Sequence, residues 1–258
     1  MRTARGVLAL ITRDLIRIPR QPSRLVATVA TPGVIWLLLA SGFAGSIDPA
    51  GADAGDGLYA ARLASGTALL VVLFSSIFAS ITLITDRHEG FLQGVLASPM
   101  PRWSLGLAKT LSGSLIAAAQ GLLLLLALPL VAQGVHGTHI LLGTLVLLLA
   151  SLFLSGLSLA AAWWVDSTQG FHGVMNLVLM PMWLLSGSIF PPEGAAGWLH
   201  ALMHLNPLAW INTALLDALG LGGGLRTGGP ALAWGVTLAA AGAGVAAPAV
   251  VFRTRGAR

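Results

Sequence analysis

Cysteine is absent from this chain of 258 residues, and charged residues are scarce. Without thiols the chain can form no disulfide, no thiolate metal site and no cysteine nucleophile, and its redox compartment stays open. Lys, Arg, Asp and Glu together make up only 9% of the residues. That is too few for the charged surface that a soluble domain of this size needs, so the two absences argue against a soluble fold.

Hydrophobic residues dominate instead, at 56% of the chain with a mean hydropathy of +0.85. A helix that crosses a bilayer needs about 20 apolar residues, because the hydrocarbon core is about 30 Å thick. The composition and the lengths of the apolar runs predict an all-α, polytopic membrane protein that forms a single transmembrane domain over residues 1–258. The six predicted transmembrane helices are 25–43, 63–85, 105–131, 140–165, 171–190 and 231–252.

The distribution of positive charge predicts the orientation of these spans. With an even number of spans, all but two of the 14 Lys and Arg residues fall on one side of the membrane. The positive-inside rule then predicts cytoplasmic N- and C-termini and a cytoplasmic loop at residues 86–101. The calculated pI of about 11.3 reflects this topology. We expect no binding of nucleic acid, because the basic residues flank the membrane and form no continuous stripe.

Two further segments are predicted not to span. Residues 3–19 carry apolar side chains on one helical face and arginines on the other, which predicts an interfacial helix along the inner leaflet. A basic topology anchor explains this pattern equally well. Residues 191–229 contain an amphipathic stretch that Asn206 and Pro207 interrupt. They predict outer re-entrant helices that dip into the leaflet or lie on it.

Metal-dependent catalysis has one candidate motif, the HALMH sequence. His200 and His204 are four residues apart and share a helical face that could bind zinc. Zinc proteases carry Glu directly after the first His, where this chain has Ala201. A membrane-embedded metal-dependent enzyme therefore remains an alternative function only.

Nucleotide hydrolysis lacks its usual motif. Lys109 and Thr110 end a segment in which Ala108 and Trp103 replace the glycines of a phosphate-binding loop. None of the predicted spans carries an acid near its middle, which also disfavours ion-coupled transport. Any ATP-driven work must come from a protein bound to the cytoplasmic face.

Two blocks of sequence resemble the permeases of ABC-2 type transporters. The first, EGFLQGVLASPMPRWSLGLAKTLSGSLIAAAQGLLLL at residues 89–125, has an acid and Gly before a short helix, then Pro, then a Gly/Lys pair opening a span. The second comprises PMWLLSGSIFPP at 181–192 and LNPLAWINTALLDAL at 205–219, and it is similar to the family's fifth span and outer re-entrant region. One departure is Leu216, where the family often has Arg.

The resemblance implies a transmembrane subunit of an ABC exporter in a prokaryotic plasma membrane. It further implies two copies of a separate ABC ATPase, which would bind ATP and Mg²⁺, and a second permease copy, identical or different. No cofactor is expected in this chain. Residues around 89–97 would form the coupling helix that docks on the ATPase, although a topology loop with local salt bridges is the alternative. The coupling residues are Asp86, Arg87, His88, Glu89, Gly90, Phe91, Leu92 and Gly94.

The resemblance also implies a substrate pathway between the two permease copies, lined by spans two and five. Its candidate residues are Phe74, Phe78, Asn176, Met180 and Trp183, although lipid-facing or packing roles explain each of them equally well. Met and aromatic side chains make an adaptable apolar wall that suits amphiphiles. We therefore expect a hydrophobic or amphiphilic cargo, which could be drug-like, lipid-linked or a polysaccharide. A non-transporting membrane scaffold is a further alternative.

Overall fold

The computed structural model describes residues 2–17, 22–43, 58–97, 100–130, 134–165, 167–189, 192–225 and 227–254. These residues form helices and connecting turns, with no strand among them. Short 3-10 turns occupy Leu128–Leu130 and Pro192–Gly194. The helices are α1 Arg2–Arg17, α2 Pro22–Phe43, α3 Leu58–His88, α4 Phe91–Leu96, α5 Arg102–Leu125, α6 Gly137–Ala162, α7 Thr168–Leu184, α8 Gly197–Leu205, α9 Pro207–Ala218 and α10 Gly229–Thr254.

Four helical segments of the described chain are long and apolar enough to cross a bilayer: Leu58–His88, Arg102–Leu130, Gly137–Ala162 and Gly229–Arg253. In hydrocarbon every backbone N–H and C=O needs an internal partner, so apolar runs of this length fold as helices. The other two predicted spans correspond to α2 and α7. The apolar part of α2 is Thr28–Gly42, and α7 has 17 residues, so both fall short of about 20 residues.

The long helices pack in one bundle, and α6 and α10 approach most closely. The backbone at Gly244 leaves no room for a Cβ atom on Gly156, and the carbonyl of Leu152 leaves none on Gly244. Gly106 of α5 lies against Pro248 of α10 in a similar way, at 3.2–3.3 Å from an added Cβ. Small residues at these contacts let the helix backbones approach, as is common in membrane bundles.

The two ends of the bundle can be told apart by their contacts. We call the end where α3 ends and α5 begins the basal end. There the Arg87 guanidinium donates to the Trp163 carbonyl at 3.1 Å, and the ring centroids of Trp163 and Phe252 are 4.1 Å apart. At the opposite, distal end Arg62 donates to the Leu221 carbonyl at 3.1 and 3.2 Å. Both α6 and α10 therefore end at the basal end.

Helix α7 runs antiparallel to α3. Near its start, the ring of His172 meets Phe78 edge-on, with centroids 5.6 Å apart. Near its end, the Trp183 indole donates to the carbonyl of Gly66 at 2.9 Å. Because Gly66 lies near the distal end of α3, the course of α7 leads from the basal end towards the distal end.

The predicted re-entrant region contains two helices of different character. Helix α8 exposes Trp198, Leu202 and Leu205. Asn206 separates it from α9, accepting a hydrogen bond from the Leu208 N–H at 3.0 Å and donating to the Met182 carbonyl at 2.6 Å. All of α9 except its first residue and Asp217 is buried, against α3, α6 and α10. It is enclosed by protein, and its position relative to the outer leaflet stays a prediction.

Candidate functional site

Helix α4 is a short connection at the basal end of the bundle. It has six residues, and Gly90 precedes it with φ of +77°, in the left-handed region that other residues rarely adopt. This glycine forms the turn between the long α3 and α4. The Ala97 N–H then donates to the Gln93 carbonyl at 2.9 Å and closes the last turn.

Helix α4 has one face in the bundle and one face open. The side chain of Leu92 is buried, and those of Phe91 and Val95 are half-buried against the core. On the open side His88, Glu89, Gln93 and Gly94 are exposed. This face is accessible to another protein, with the acidic Glu89 at one end and Gly94 further along.

A cluster of charged residues lies beside α4, with Asp86 at its centre. The Arg13 Nη2 lies 2.8 Å from Oδ1 of Asp86, and the Arg17 Nη1 lies 3.3 Å from the same oxygen. The Lys109 Nζ is 2.7 Å from Oδ2 of Asp86. These contacts join α1, α3 and α5 through one buried carboxylate.

Asp14 completes this ion cluster, which we define as Arg13, Asp14, Arg17, Asp86 and Lys109. The Lys109 Nζ is 3.2 and 3.1 Å from the two carboxylate oxygens of Asp14. The hydroxyl of Ser112 donates to Asp14 at 3.0 Å. Lys109 thus has two carboxylate partners, which compensate for the loss of water around its buried ammonium group.

The ion cluster also contacts the short helix directly. The guanidinium carbon of Arg13 lies 3.6 Å from the ring centroid of Phe91, which is close enough for a cation–π interaction. Arg13 therefore contacts Asp86 on α3 and Phe91 on α4 at once. A displacement of α4 would act on α1, and through the ion cluster on α3 and α5.

Two of the predicted coupling residues bond to other parts of this chain. Asp86 is buried, and its carboxylate is bonded within the permease, so its contact with an ATPase stays a prediction. The physical reason for this bonding is Lys109, which is buried and needs a nearby negative charge. Arg87 likewise bonds to Trp163 of the bundle.

The five candidate pathway residues are not equivalent. Asn176 is exposed, and Phe74, Phe78 and Met180 are half-buried. Trp183 is buried, and its indole hydrogen bond to Gly66 packs α7 against α3. Trp183 thus contributes to helix packing, and its place on a pathway stays a prediction.

The two histidines of the HALMH motif lie close together, with ring centroids 4.4 Å apart. Both ring nitrogens of His204 have partners, at 2.8 Å from the His200 carbonyl oxygen and 3.0 Å from the Thr227 hydroxyl. Zinc binding would have to displace at least one of these hydrogen bonds. Within the described residues, no group of three or more His, Cys, Asp or Glu side chains is placed to hold a metal ion.

The ion cluster as a whole is not predictable from the sequence, although each of its charged residues can be identified there. The sequence predicts Arg13 and Arg17 on the polar face of an interfacial helix, and it places Lys109 in an incomplete phosphate-binding motif. The partners lie far apart in the chain, since Asp86 follows Arg13 by 73 positions. One feature of the sequence does indicate a partner for Lys109. This residue lies several residues inside an apolar run, and a cation in that position requires a nearby negative charge.

Comparison with known proteins agrees with the residues that suggested a family. The family model described as ABC-2 type transporter matches residues 5–219. The "Probable multidrug ABC transporter permease YbhR" of Escherichia coli (strain K12) is 28% identical over 148 residues, or 55% of this chain and 38% of that protein. The chain thus aligns with well under two thirds of that relative.

Two further relatives align with this chain over more of their own length. A chain named transport permease ycf38 of Pyropia yezoensis is 24% identical over 206 residues, or 79% of this chain and 70% of the relative. Its namesake in Porphyra purpurea is 23% identical over 204 residues. Since the family model covers most of the sequence, the chain belongs to the ABC-2 type transporter family.

Proposed function

We propose that the chain is the transmembrane permease subunit of an ATP-driven ABC exporter and that α4 is its coupling helix. The observation that carries the proposal is the position of α4. Its open face exposes Glu89 and Gly94, while its other face reaches α1 through Phe91 and Arg13. A subunit docked on the open face could therefore move several helices at once.

A separate ATPase is part of this proposal. Lys109 is the residue that most resembles a phosphate-binding lysine, but it is buried and bonded to Asp14 and Asp86. Its ammonium group is thus occupied within the permease. We assign ATP and Mg²⁺ to two copies of an ABC ATPase subunit.

The proposed topology has six membrane crossings and both termini in the cytoplasm. The contacts between helix ends at the basal and distal ends of the bundle support it. Helix α6 ends at the basal end and α10 begins at the distal end, so the chain between them must return across the bundle. The antiparallel course of α7 along α3 supports this return. The Trp36 indole donates to the Ala60 carbonyl at 2.9 Å, which brings α2 to the distal end as well. The basal end would then be the cytoplasmic side of a prokaryotic plasma membrane.

A second permease copy and an apolar pathway complete the proposal. Helix α7 exposes Val174, Leu177 and Val178 beside the polar Asn176. A polar amide side chain that faces lipid raises the free energy of the protein. Contact with another subunit or with a water-filled pathway would therefore stabilise this face. Phe74, Phe78 and Met180 lie half-buried on the helices that would line such a path. Their apolar character suits a hydrophobic or amphiphilic cargo, moved outward; a homodimer is the simplest assembly and a heterodimer the alternative.

Charge reversal at Glu89 tests the role of α4. In Glu89→Lys, we expect copurification with the ATPase and ATP-dependent export of an amphiphilic dye from cells to fall at least about tenfold, because a charge contact becomes repulsive. Permease yield and unfolding temperature should not change, since Glu89 is exposed. Gln169→Lys, at another exposed position at the basal end, is the matched control and should export normally.

Two results would count against the proposal in different ways. Normal export by Glu89→Lys would reject α4 as the docking element while leaving the exporter function intact. If no ATPase copurifies with the wild-type chain and no dye leaves the cells, the exporter function fails. A non-transporting scaffold would then explain the data better.

A further inference from the structure

An apolar groove lies on the outer surface of the bundle, between α5, α6 and α10. It encloses about 580 Å³, within the size range of small-molecule sites. Trp103 and Leu107 of α5 and Leu152 of α6 form its walls, while Gly242, Ala246 and Ala249 of α10 form part of its floor. The groove exists because these floor residues are small while the neighbouring helices carry large side chains.

The length of the groove matches one leaflet of a bilayer. Along α10 it extends from Leu238 to Ala249, which corresponds to about 16 Å of helix. Half of the hydrocarbon core is about 15 Å thick. The groove therefore has the length of one lipid acyl chain, in the leaflet on the basal side.

Two arginines lie at the basal mouth of the groove. On α10, Gly242, Ala246 and Ala249 recur at helical spacing, and Arg253 continues that row one turn further. On α5, Arg102 lies one turn before Gly106, which packs against Pro248 of α10. Arg102 and Arg253 are thus at about the same depth.

Both guanidinium groups are available for an anion. Arg102 and Arg253 are exposed, and neither forms an ion pair with any residue in the described part of the chain. At this depth they lie where phospholipid headgroups meet the hydrocarbon. Positive charge at the mouth of an apolar groove is complementary to a lipid with an anionic headgroup.

We propose that this groove binds one acyl chain of an anionic glycerophospholipid, with its phosphate between Arg102 and Arg253. A second copy of this chain fits less well, because it would bring its own arginines against these two.

Native mass spectrometry of the purified full-length chain tests this binding after reconstitution into nanodiscs of equal phosphatidylglycerol and phosphatidylcholine. We expect the wild-type protein to retain phosphatidylglycerol about tenfold more than phosphatidylcholine. The Arg102→Gln/Arg253→Gln variant should lose that preference. Arg5→Gln, which removes an exposed arginine of α1, should keep it.

Filling the groove tests the acyl chain separately. Ala246→Leu should abolish retention of both lipids, whereas Ala243→Leu, at an exposed α10 position outside the groove lining, should not. Equal retention of both lipids by the wild type would overturn the proposal, as would an unchanged preference in the double arginine variant. If Ala246→Leu instead changes the oligomeric state and leaves lipid retention intact, the groove is an interface between copies and the lipid proposal fails. The surface arginine variants should fold normally, so they decide the question even if Ala246→Leu does not fold.

Discussion

Lys109 is a buried ammonium group at the basal end of α5, and its surroundings explain why Asp86 and Asp14 point inward. Removing a charge from water costs several kcal/mol unless a partner of opposite sign and further hydrogen bonds compensate. Lys109 obtains both, from two carboxylates at 2.7 and 3.1 Å. The pattern of charge in the sequence predicts that residue 109 needs a partner. It does not identify which acids supply it, because that depends on how α1 folds across α3 and α5.

Breaking this ion cluster should destabilise the permease. Lys109→Met leaves the buried carboxylate of Asp86 and the partly buried one of Asp14 short of a cation, so we expect the free energy of unfolding to fall by about 3–5 kcal/mol. Asp86→Asn should have a similar effect. Reversible unfolding of the purified protein in mixed micelles, followed by Trp fluorescence, measures both changes.

The double variant distinguishes the pair from simple loss of packing. In Asp86→Asn/Lys109→Met both members of the pair are neutral, so fewer charges lack a partner than in either single variant. The decrease in the free energy of unfolding should therefore be clearly smaller than the sum of the two single decreases. Arg5→Met, which removes an exposed arginine, should leave unfolding unchanged within about 0.5 kcal/mol. Strictly additive losses would mean that Asp86 and Lys109 do not act as a pair.

At the scale of single helices, local patterns predict α1 and α4 well and their contacts poorly. The apolar and basic faces of residues 3–19 predict a helix, and α1 spans Arg2–Arg17. The interfacial position of this helix stays a prediction. Its arginines were predicted only to share the polar face, and Arg13 and Arg17 bond to Asp86 because the ends of α1 and α3 meet there. Residue spacing within one helix carries no information on such distant partners.

The close approach of α6 and α10 depends on glycines at single positions. Gly244→Ala would place a methyl group against the backbone of Leu152 and Phe153. Backbone atoms cannot move aside as a flexible side chain can, so the helices must separate. We expect a loss of about 1–3 kcal/mol or more in the free energy of unfolding, with a lower unfolding temperature.

Gly235→Ala is the matched control for this element. It lies on the same helix, but nothing would contact its added methyl group within 4 Å. Alanine also favours a helix over glycine by about 1 kcal/mol, so this variant should be as stable as the wild type or more stable. Equal stability of Gly244→Ala and Gly235→Ala would show that the α6–α10 contact is looser than described.

At the scale of the whole molecule, hydropathy predicts the helical bundle because lipid forces the backbone to bond internally. Four spans can be recognised from length and composition alone. Helix α7 has only 17 residues, below the usual length of a span, so the crossing predicted for residues 171–190 stays a prediction. The burial of α9 cannot be predicted, because its apolar side chains would suit lipid and protein equally well. Only the contacts with α3, α6 and α10 distinguish the two surroundings.

The proposed crossing of α7 can be tested with single thiols, because the natural chain contains no cysteine. Gln169→Cys lies at the start of α7, and Thr227→Cys lies beyond α9 near the start of α10; both positions are exposed. If α7 crosses, a membrane-impermeant maleimide should label Thr227→Cys in intact cells and Gln169→Cys only after the membrane is opened. Ala150→Cys, which is buried within α6, should stay unlabelled in both conditions. Labelling of residues 169 and 227 from the same side would rule out a crossing by α7 and with it the six-span topology, whereas labelling from opposite sides requires one.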